Sequence, residues 1–205
     1  MNTTRVKICG LTRPQDVDAA VTAGADAVGF VFTQRSKRYV APERAVELAA
    51  RVPAFVSRVG LFMDAEAGFV ERVLKEVPLT LLQFHGLETP AYCRRFGRPY
   101  VKALGMADPE KLQHVDEYAD AAAILLDSHP PGEPGGTGRT FSWDRIPTLS
   151  RPLVLAGGLN PSNVAAAVCT VRPWAVDVSS GVETEPGVKC ADKMKEFIRE
   201  AKRET

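Results

Sequence analysis

The thiol of Cys9 is the first side chain of this chain whose type and place suit chemistry. It closes the stretch Val6-Lys7-Ile8-Cys9, ahead of Gly10-Leu11-Thr12. Side chains alternate across a strand, so Val6 and Ile8 share one face and Lys7 and Cys9 the other. With the aliphatic pair against a covering helix, the lysine and the thiol point to the axis of a closed parallel sheet. A thiol at the carboxyl end of such a strand lies where barrel enzymes build their sites. The alternative is a small packing residue, the common state of a free cysteine. Asp127 stands in the same kind of place. It ends the apolar run Ala123-Ile124-Leu125-Leu126 and shares a face with Ala123 and Leu125. There it either caps the following loop or does chemistry. Other apolar runs also end in polar residues, Gln83 with His85 and Asp177 with Ser179 and Ser180. His85 reads equally as a rim ligand or as a satisfied structural residue.

Two glycine-bearing turns complete this set, Ala156-Gly157-Gly158-Leu159-Asn160 and Val178-Ser179-Ser180-Gly181-Val182. Glycine lets a backbone approach an oxygen-rich ligand closely, and exposed N–H groups with a helix N-terminus bind phosphate. Gly157, Gly158, Ser179, Ser180 and Gly181 are the phosphate-binding candidates. The turn 33–39 holds Arg35, Lys37 and Arg38. Such a cluster is ordinarily a solvated loop. On the rim that carries Cys9 and Asp127, however, a planar guanidinium suits a substrate carboxylate. Lys7 and Lys102 are the lysines in a position to form a Schiff base. Lys7 lies deeper than Cys9, which favours an electrostatic or structural role. His114 reads as a surface helix residue, and Cys93, Cys169 and Cys190 as packing residues on helices.

These residues need a scaffold that gathers them. Strand-length apolar runs begin at Val6 and span 27–32, 55–62, 79–85, 100–104, 121–127, 152–156 and 174–178. Helical patterns fall between them, over 14–23, from Pro42, over 65–77 and 90–96, from Asp108, around 143–149, from Asn160 and over 189–202. Gly24 is a C-cap, and Asn160 is an N-cap with Pro161 at the first helical position. Runs apolar throughout suit strands buried on both faces. Strict alternation of strand and helix is the pattern of an α/β protein with a parallel sheet. The expected fold is a single-domain (β/α)8 TIM barrel over residues 1–205. An open doubly wound sheet is the rival, but no G-x-G-x-x-G follows the first strand and no P-loop motif appears. The Pro- and Gly-rich interval 128–142 breaks the rhythm, and a loop of that length in a compact domain is usually functional.

Composition narrows the partners. With 45% hydrophobic and 25% charged residues the chain is an ordinary globular one. A net charge of +1 recruits neither nucleic acid nor an anionic membrane. No apolar run nears the ~20 residues of a membrane span, and the first residues carry no apolar signal segment. The four cysteines are widely spread, without the spacing of a zinc site or a redox dithiol. A cytoplasmic protein with reduced thiols is expected, a monomer or a homodimer.

Taken together, Val6-Lys7-Ile8-Cys9-Gly10-Leu11-Thr12, Gly24-Ala25-Asp26-Ala27-Val28-Gly29-Phe30, Ser36-Lys37-Arg38-Tyr39, Gln83-Phe84-His85-Gly86, Leu125-Leu126-Asp127, Gly135-Gly136-Thr137-Gly138, Ala156-Gly157-Gly158-Leu159-Asn160-Pro161 and Val176-Asp177-Val178-Ser179-Ser180-Gly181-Val182-Glu183 resemble phosphoribosylanthranilate isomerase of tryptophan biosynthesis. The resemblance runs from residue 5 to about 200. It implies an Amadori rearrangement of N-(5-phosphoribosyl)anthranilate to the 1-deoxyribulose phosphate, without metal, nucleotide or redox cofactor. By the same resemblance the general base falls on Cys9, the general acid on Asp127 and the residue facing the anthranilate carboxylate on Arg38. Gln83, His85 and Asp177 are further substrate-binding candidates. The chemistry suits the residue types: a carboxylic acid protonates a ring oxygen, and a thiolate takes a carbon-bound proton. An apolar strand end favours protonated Asp127, and a nearby Lys7 ammonium favours the Cys9 thiolate.

Overall fold

Every strand expected from the apolar runs is present in a computed structural model of the chain, which describes residues 3–106, 115–128, 143, 146 and 149–203. The strands are β1 (Arg5–Cys9), β2 (Ala27–Val31), β3 (Ser57–Phe62), β4 (Leu81–Phe84), β5 (Tyr100–Gly105), β6 (Ala123–Asp127), β7 (Leu153–Leu155) and β8 (Ala175–Val178). They pair in parallel in sequence order, and β8 returns to β1, closing the barrel. The described helices are α1 (Pro14–Thr22), α2 (Pro42–Ala49), α3 (Ala67–Glu76), α4 (Pro90–Arg94), α5 (Val164–Val171) and α6 (Ala191–Ala201). The helix expected from Asp108, His114 with it, and most of the interval 128–149 lie outside the described residues.

The sheet separates two apolar clusters. Val6, Ile8, Val28, Phe30, Leu82, Phe84, Ile124 and Leu126 pack outward under the helices. A smaller inner cluster holds Val101, Ala103, Ala123, Leu125, Val154, Ala156 and Ala175. Alternation therefore sends Lys7 and Cys9 inward, with Lys7 in register with Asp177 and Cys9 with Gly29. Small residues fill the narrow interior and large ones the space beneath the helices. Lys102 follows that rule outward: its ammonium donates to Glu88 at 2.8 Å and to the Gly86 carbonyl at 2.6 Å. It is absent from the barrel interior, which removes it as a Schiff-base candidate.

Some boundaries differ from expectation for identifiable reasons. Pro14, Pro42 and Pro90 each start a helix, where the missing N–H costs nothing. Asn160 does not cap a helix. Its side chain accepts from Ser162 N at 2.9 Å while its own N–H donates to Asn163 Oδ1 at 2.8 Å. That closed turn delays α5 to Val164. Phe55, expected in β3, lies fully exposed ahead of it. Cys169 is on a helix but exposed, and Cys190 precedes α6 rather than lying within it. An unexpected antiparallel hairpin, β9 (Glu183–Glu185) with β10 (Val188–Lys189), follows β8.

Candidate active site

The barrel interior opens at the carboxyl ends of the strands into a cavity. Cys9, Arg38, Gln83, His85, Asp127, Asp177 and Ser179 all line it. Strands β1, β4, β6 and β8 and the turn after β2 thus bring every expected catalytic and substrate-binding residue to one place.

Cys9 is 5% exposed and packs against Gly29 of β2. A Cβ at position 29 would lie 2.9 Å from Cys9 Sγ and 3.2 Å from Lys7 Cε. Only glycine leaves the slot in which the thiol and the lysine stem fit together. The sequence carries the clue, since a glycine inside an apolar strand marks a close approach. Lys7 Nζ donates to Asp177 Oδ1 at 2.9 Å. Burial opposes the Lys7 charge, but Asp177 and Cys9 outweigh it and hold the ammonium protonated. Lys7 and Lys189 pull the Cys9 thiol down, as expected of nearby cations, while burial, the largest influence, pushes it up.

Across the cavity Asp127 Oδ2 lies 3.7 Å from His85 Nε2. Burial lowers the His85 pKa against the pull of Asp127. Gln83 Nε2, a donor, faces His85 Nδ1 at 3.3 Å. Ser128 Oγ adds a long contact of 3.4 Å to Asp127 Oδ1. Gln83 and Asp177 line the cavity while their polar groups orient His85 and Lys7.

Arg38 also differs from the simple expectation. The Nε–Nη2 edge of its guanidinium grips Glu183 at 2.8 and 2.7 Å. A guanidinium has five donors, so three remain on the Nη1–Nη2 end, without a partner among the described residues. Gly10, at φ 73°, lets the Arg38 stem pass, since a Cβ there would lie 2.5 Å from Arg38 Cδ. Glu183 stood in a recognised motif without an expected role; its partner is 145 residues away in sequence.

The two glycine turns touch each other beside the cavity. Gly157 has φ 86°, and a Cβ there would lie 2.4 Å from the Ser128 backbone nitrogen. A Cβ on Gly181 would lie 1.9 Å from the Leu159 carbonyl oxygen. Ser179 reaches the cavity itself, and its hydroxyl donates to the Cys9 carbonyl at 3.1 Å. Gly158, Ser180 and the rest of the turns form the adjoining rim. Among the described residues no three His, Cys, Asp or Glu side chains gather as metal ligands. No described helix is long and apolar enough to cross a membrane.

The chain is similar to known proteins over nearly its whole length. The N-(5'-phosphoribosyl)anthranilate (PRA) isomerase family model matches residues 6–200. N-(5'-phosphoribosyl)anthranilate isomerase of Thiobacillus denitrificans is 54% identical over 200 residues, covering 97% of this chain and 98% of that protein. The crystal structure of phosphoribosyl anthranilate isomerase from Thermotoga maritima is 44% identical with a TM-score of 0.87, covering 97% of this chain and 98% of the other. A crystal structure of such an isomerase in complex with reduced 1-(o-carboxyphenylamino)-1-deoxyribulose 5-phosphate has a TM-score of 0.84 at 42% identity, covering 97% and 98%. By its sequence, its closed barrel and the cavity at the barrel mouth, this chain belongs to the N-(5'-phosphoribosyl)anthranilate isomerase family.

Proposed function

We propose that Cys9 is the general base and Asp127 the general acid of the reaction this chain catalyses. That reaction is the isomerisation of N-(5'-phosphoribosyl)anthranilate to 1-(2-carboxyphenylamino)-1-deoxyribulose 5-phosphate, a step of tryptophan biosynthesis. The observation that carries the role assignment is the meeting of a thiol and a carboxylate on opposite strands of one cavity, with cations beside the thiol.

Asp127 delivers a proton to the ribose ring oxygen. The C1′–O bond breaks, and the nitrogen lone pair forms the C1′=N bond. Cys9 then removes the proton from C2′ as the thiolate, the form that Lys7 and Lys189 favour against burial. The released electron pair forms C1′=C2′ and returns the lone pair to nitrogen. Protonation at C1′, with loss of the C2′ hydroxyl proton, completes the ketose. Arg38 meets the anthranilate carboxylate with its Nη1–Nη2 end. The phosphate rests on the N–H groups of Gly157, Gly158, Ser179, Ser180 and Gly181.

Lys7 is the nearest compensating charge for the thiolate. Alkylation of Cys9 by iodoacetamide, followed on its own peptide by mass spectrometry, should rise with pH with a midpoint above the ordinary thiol value, because burial outweighs the cations. Lys7→Met removes the strongest opposing cation and leaves Asp177 beside the thiol, so the midpoint should move higher still. A midpoint below the ordinary value in the wild type, or unmoved in Lys7→Met, contradicts this picture.

Arg38 is tested by substrate kinetics. A hydrogen bond to a charged group contributes about 1.5–3 kcal/mol, and each ~1.4 kcal/mol is tenfold. Arg38→Ala should therefore lower kcat/KM by roughly ten- to a hundred-fold. Lysine at 38 should rescue only in part, because a point charge cannot hold Glu183 and the substrate with two planar edges. The phosphoribosyl derivative of aniline, which lacks the carboxylate, should be a poor substrate for the wild type and little worse for Arg38→Ala. Equal losses on both substrates would place Arg38 in loop support instead.

A further inference from the structure

The hairpin β9–β10 brings two buried charges to the edge of the site. The Glu183 and Lys189 side chains are 5% and 0% exposed. Glu183 accepts from Arg38 at 2.8 and 2.7 Å and from Lys189 Nζ at 2.7 Å. Lys189 donates its other two hydrogens to Ser179, at the carbonyl (3.0 Å) and the hydroxyl (3.2 Å). Its three donors are then saturated. Ser179 Oγ in turn donates to the Cys9 carbonyl at 3.1 Å. An unbroken hydrogen-bonded line thus runs from the turn after β2 to the turn after β8. The hairpin is itself seated on the segment after β1: Thr12 Oγ1 donates to the Gly187 carbonyl at 2.7 Å, and Asp16 accepts from Lys189 N at 3.1 Å.

Stability does not account for this arrangement. Buried ion pairs are often no better than apolar residues of the same volume. Here two cations share one carboxylate, since Asp16 is matched by Arg13 at 2.7 Å. The cluster keeps one uncompensated positive charge against the cavity, and Arg38 keeps one edge for a ligand. Glu183 fixes the plane of that edge, and Lys189 fixes Ser179 relative to it.

Resting on the assignment of Arg38 to the aryl carboxylate and of the Ser179 turn to the phosphate, we propose that Glu183 and Lys189 are positioning residues. They join the two anion anchors into one rigid unit, and this unit sets the preference for a phosphorylated sugar amine bearing an aryl carboxylate over one without it. The double substitution Glu183→Gln with Lys189→Met removes the brace but leaves the net charge of the cluster unchanged, because Arg38 remains. The readout is the ratio of kcat/KM for the native substrate to that for the phosphoribosyl derivative of aniline, with Arg38→Ala measured alongside. Arg38→Ala should abolish the ratio. The double variant should reduce it by about tenfold, the weight of one charge-assisted hydrogen bond, through KM of the carboxylate-bearing substrate and with little change in kcat. Glu183→Asp, which keeps every charge and shortens the reach by one methylene, should lower the ratio in the same sense and serves if the double variant does not fold. A merely structural role would lower the melting temperature and leave the ratio intact. If Arg38→Ala abolishes the ratio while both brace variants keep it, the bracing role is overturned and the Arg38 assignment stands. If Arg38→Ala keeps the ratio, the Arg38 assignment falls and the brace with it.

Discussion

Cys9→Ala should lower kcat by at least ~10²-fold, the typical scale of general-base catalysis, while product affinity stays nearly unchanged. Alanine removes only the sulfur from a small buried slot against Gly29. Its Cβ is already accommodated there, so strand β1 keeps its register with β2 and β8. The affinity anchors lie elsewhere, on Arg38 and on the two glycine turns, and lose no contact. Lys7 keeps its 2.9 Å pair with Asp177, so no buried charge is orphaned. Loss of kcat with retained affinity is the signature of a group that acts on the transition state. Cys9→Ser should fail as well, since a hydroxyl is a far poorer source of an anion than a thiol. Near-normal turnover by Cys9→Ala would sink the assignment, leaving Cys9 a packing residue of β1.

The fold was legible because strand-length, mainly apolar runs alternate along the chain with helical periods. The sidedness of β1 was legible too: Lys7 and Cys9 alternate with Val6 and Ile8, and only one pair suits the helix layer. Lys102 shows where such reading fails. Tyr100, Val101, Ala103 and Leu104 are all buried, so the pattern of β5 names no inner face. The answer lies in side-chain volume, with Val101 and Ala103 inside and the larger residues outside. The hairpin was illegible for another reason. Five residues in two short strands give no period, and its polar residues read as an exposed turn. Its meaning depends on Arg38 and Ser179, which reach it only through closure of the barrel. The state of Cys9 was half legible: a neighbouring lysine is visible in the sequence, whereas the burial that outweighs it is a property of the packed interior.

Asp127→Asn should lower kcat on a similar scale, at least ~10²-fold, with the fold intact. The substitution is nearly isosteric at a site that is 7% exposed. The backbone of residue 127 keeps its place, its carbonyl accepting from Met106 N at 2.8 Å. An amide oxygen can still face His85 Nε2. What the amide lacks is an acidic proton to give the ring oxygen, so the furanose stays closed and the later step at C2′ has no substrate. The loss should appear in kcat and kcat/KM together, because the contacts of Arg38 and of the glycine turns are unchanged. A substrate already open at C1′ would separate the two proton transfers: turnover of such an imine by Asp127→Asn, but not by Cys9→Ala, places ring opening on Asp127 and proton abstraction on Cys9. If Asp127→Asn instead retains near-normal turnover of the closed substrate, another group supplies the proton. His85 is then the first suspect, its Nε2 lying 3.7 Å from Asp127 Oδ2, and His85→Asn in the same background would decide it.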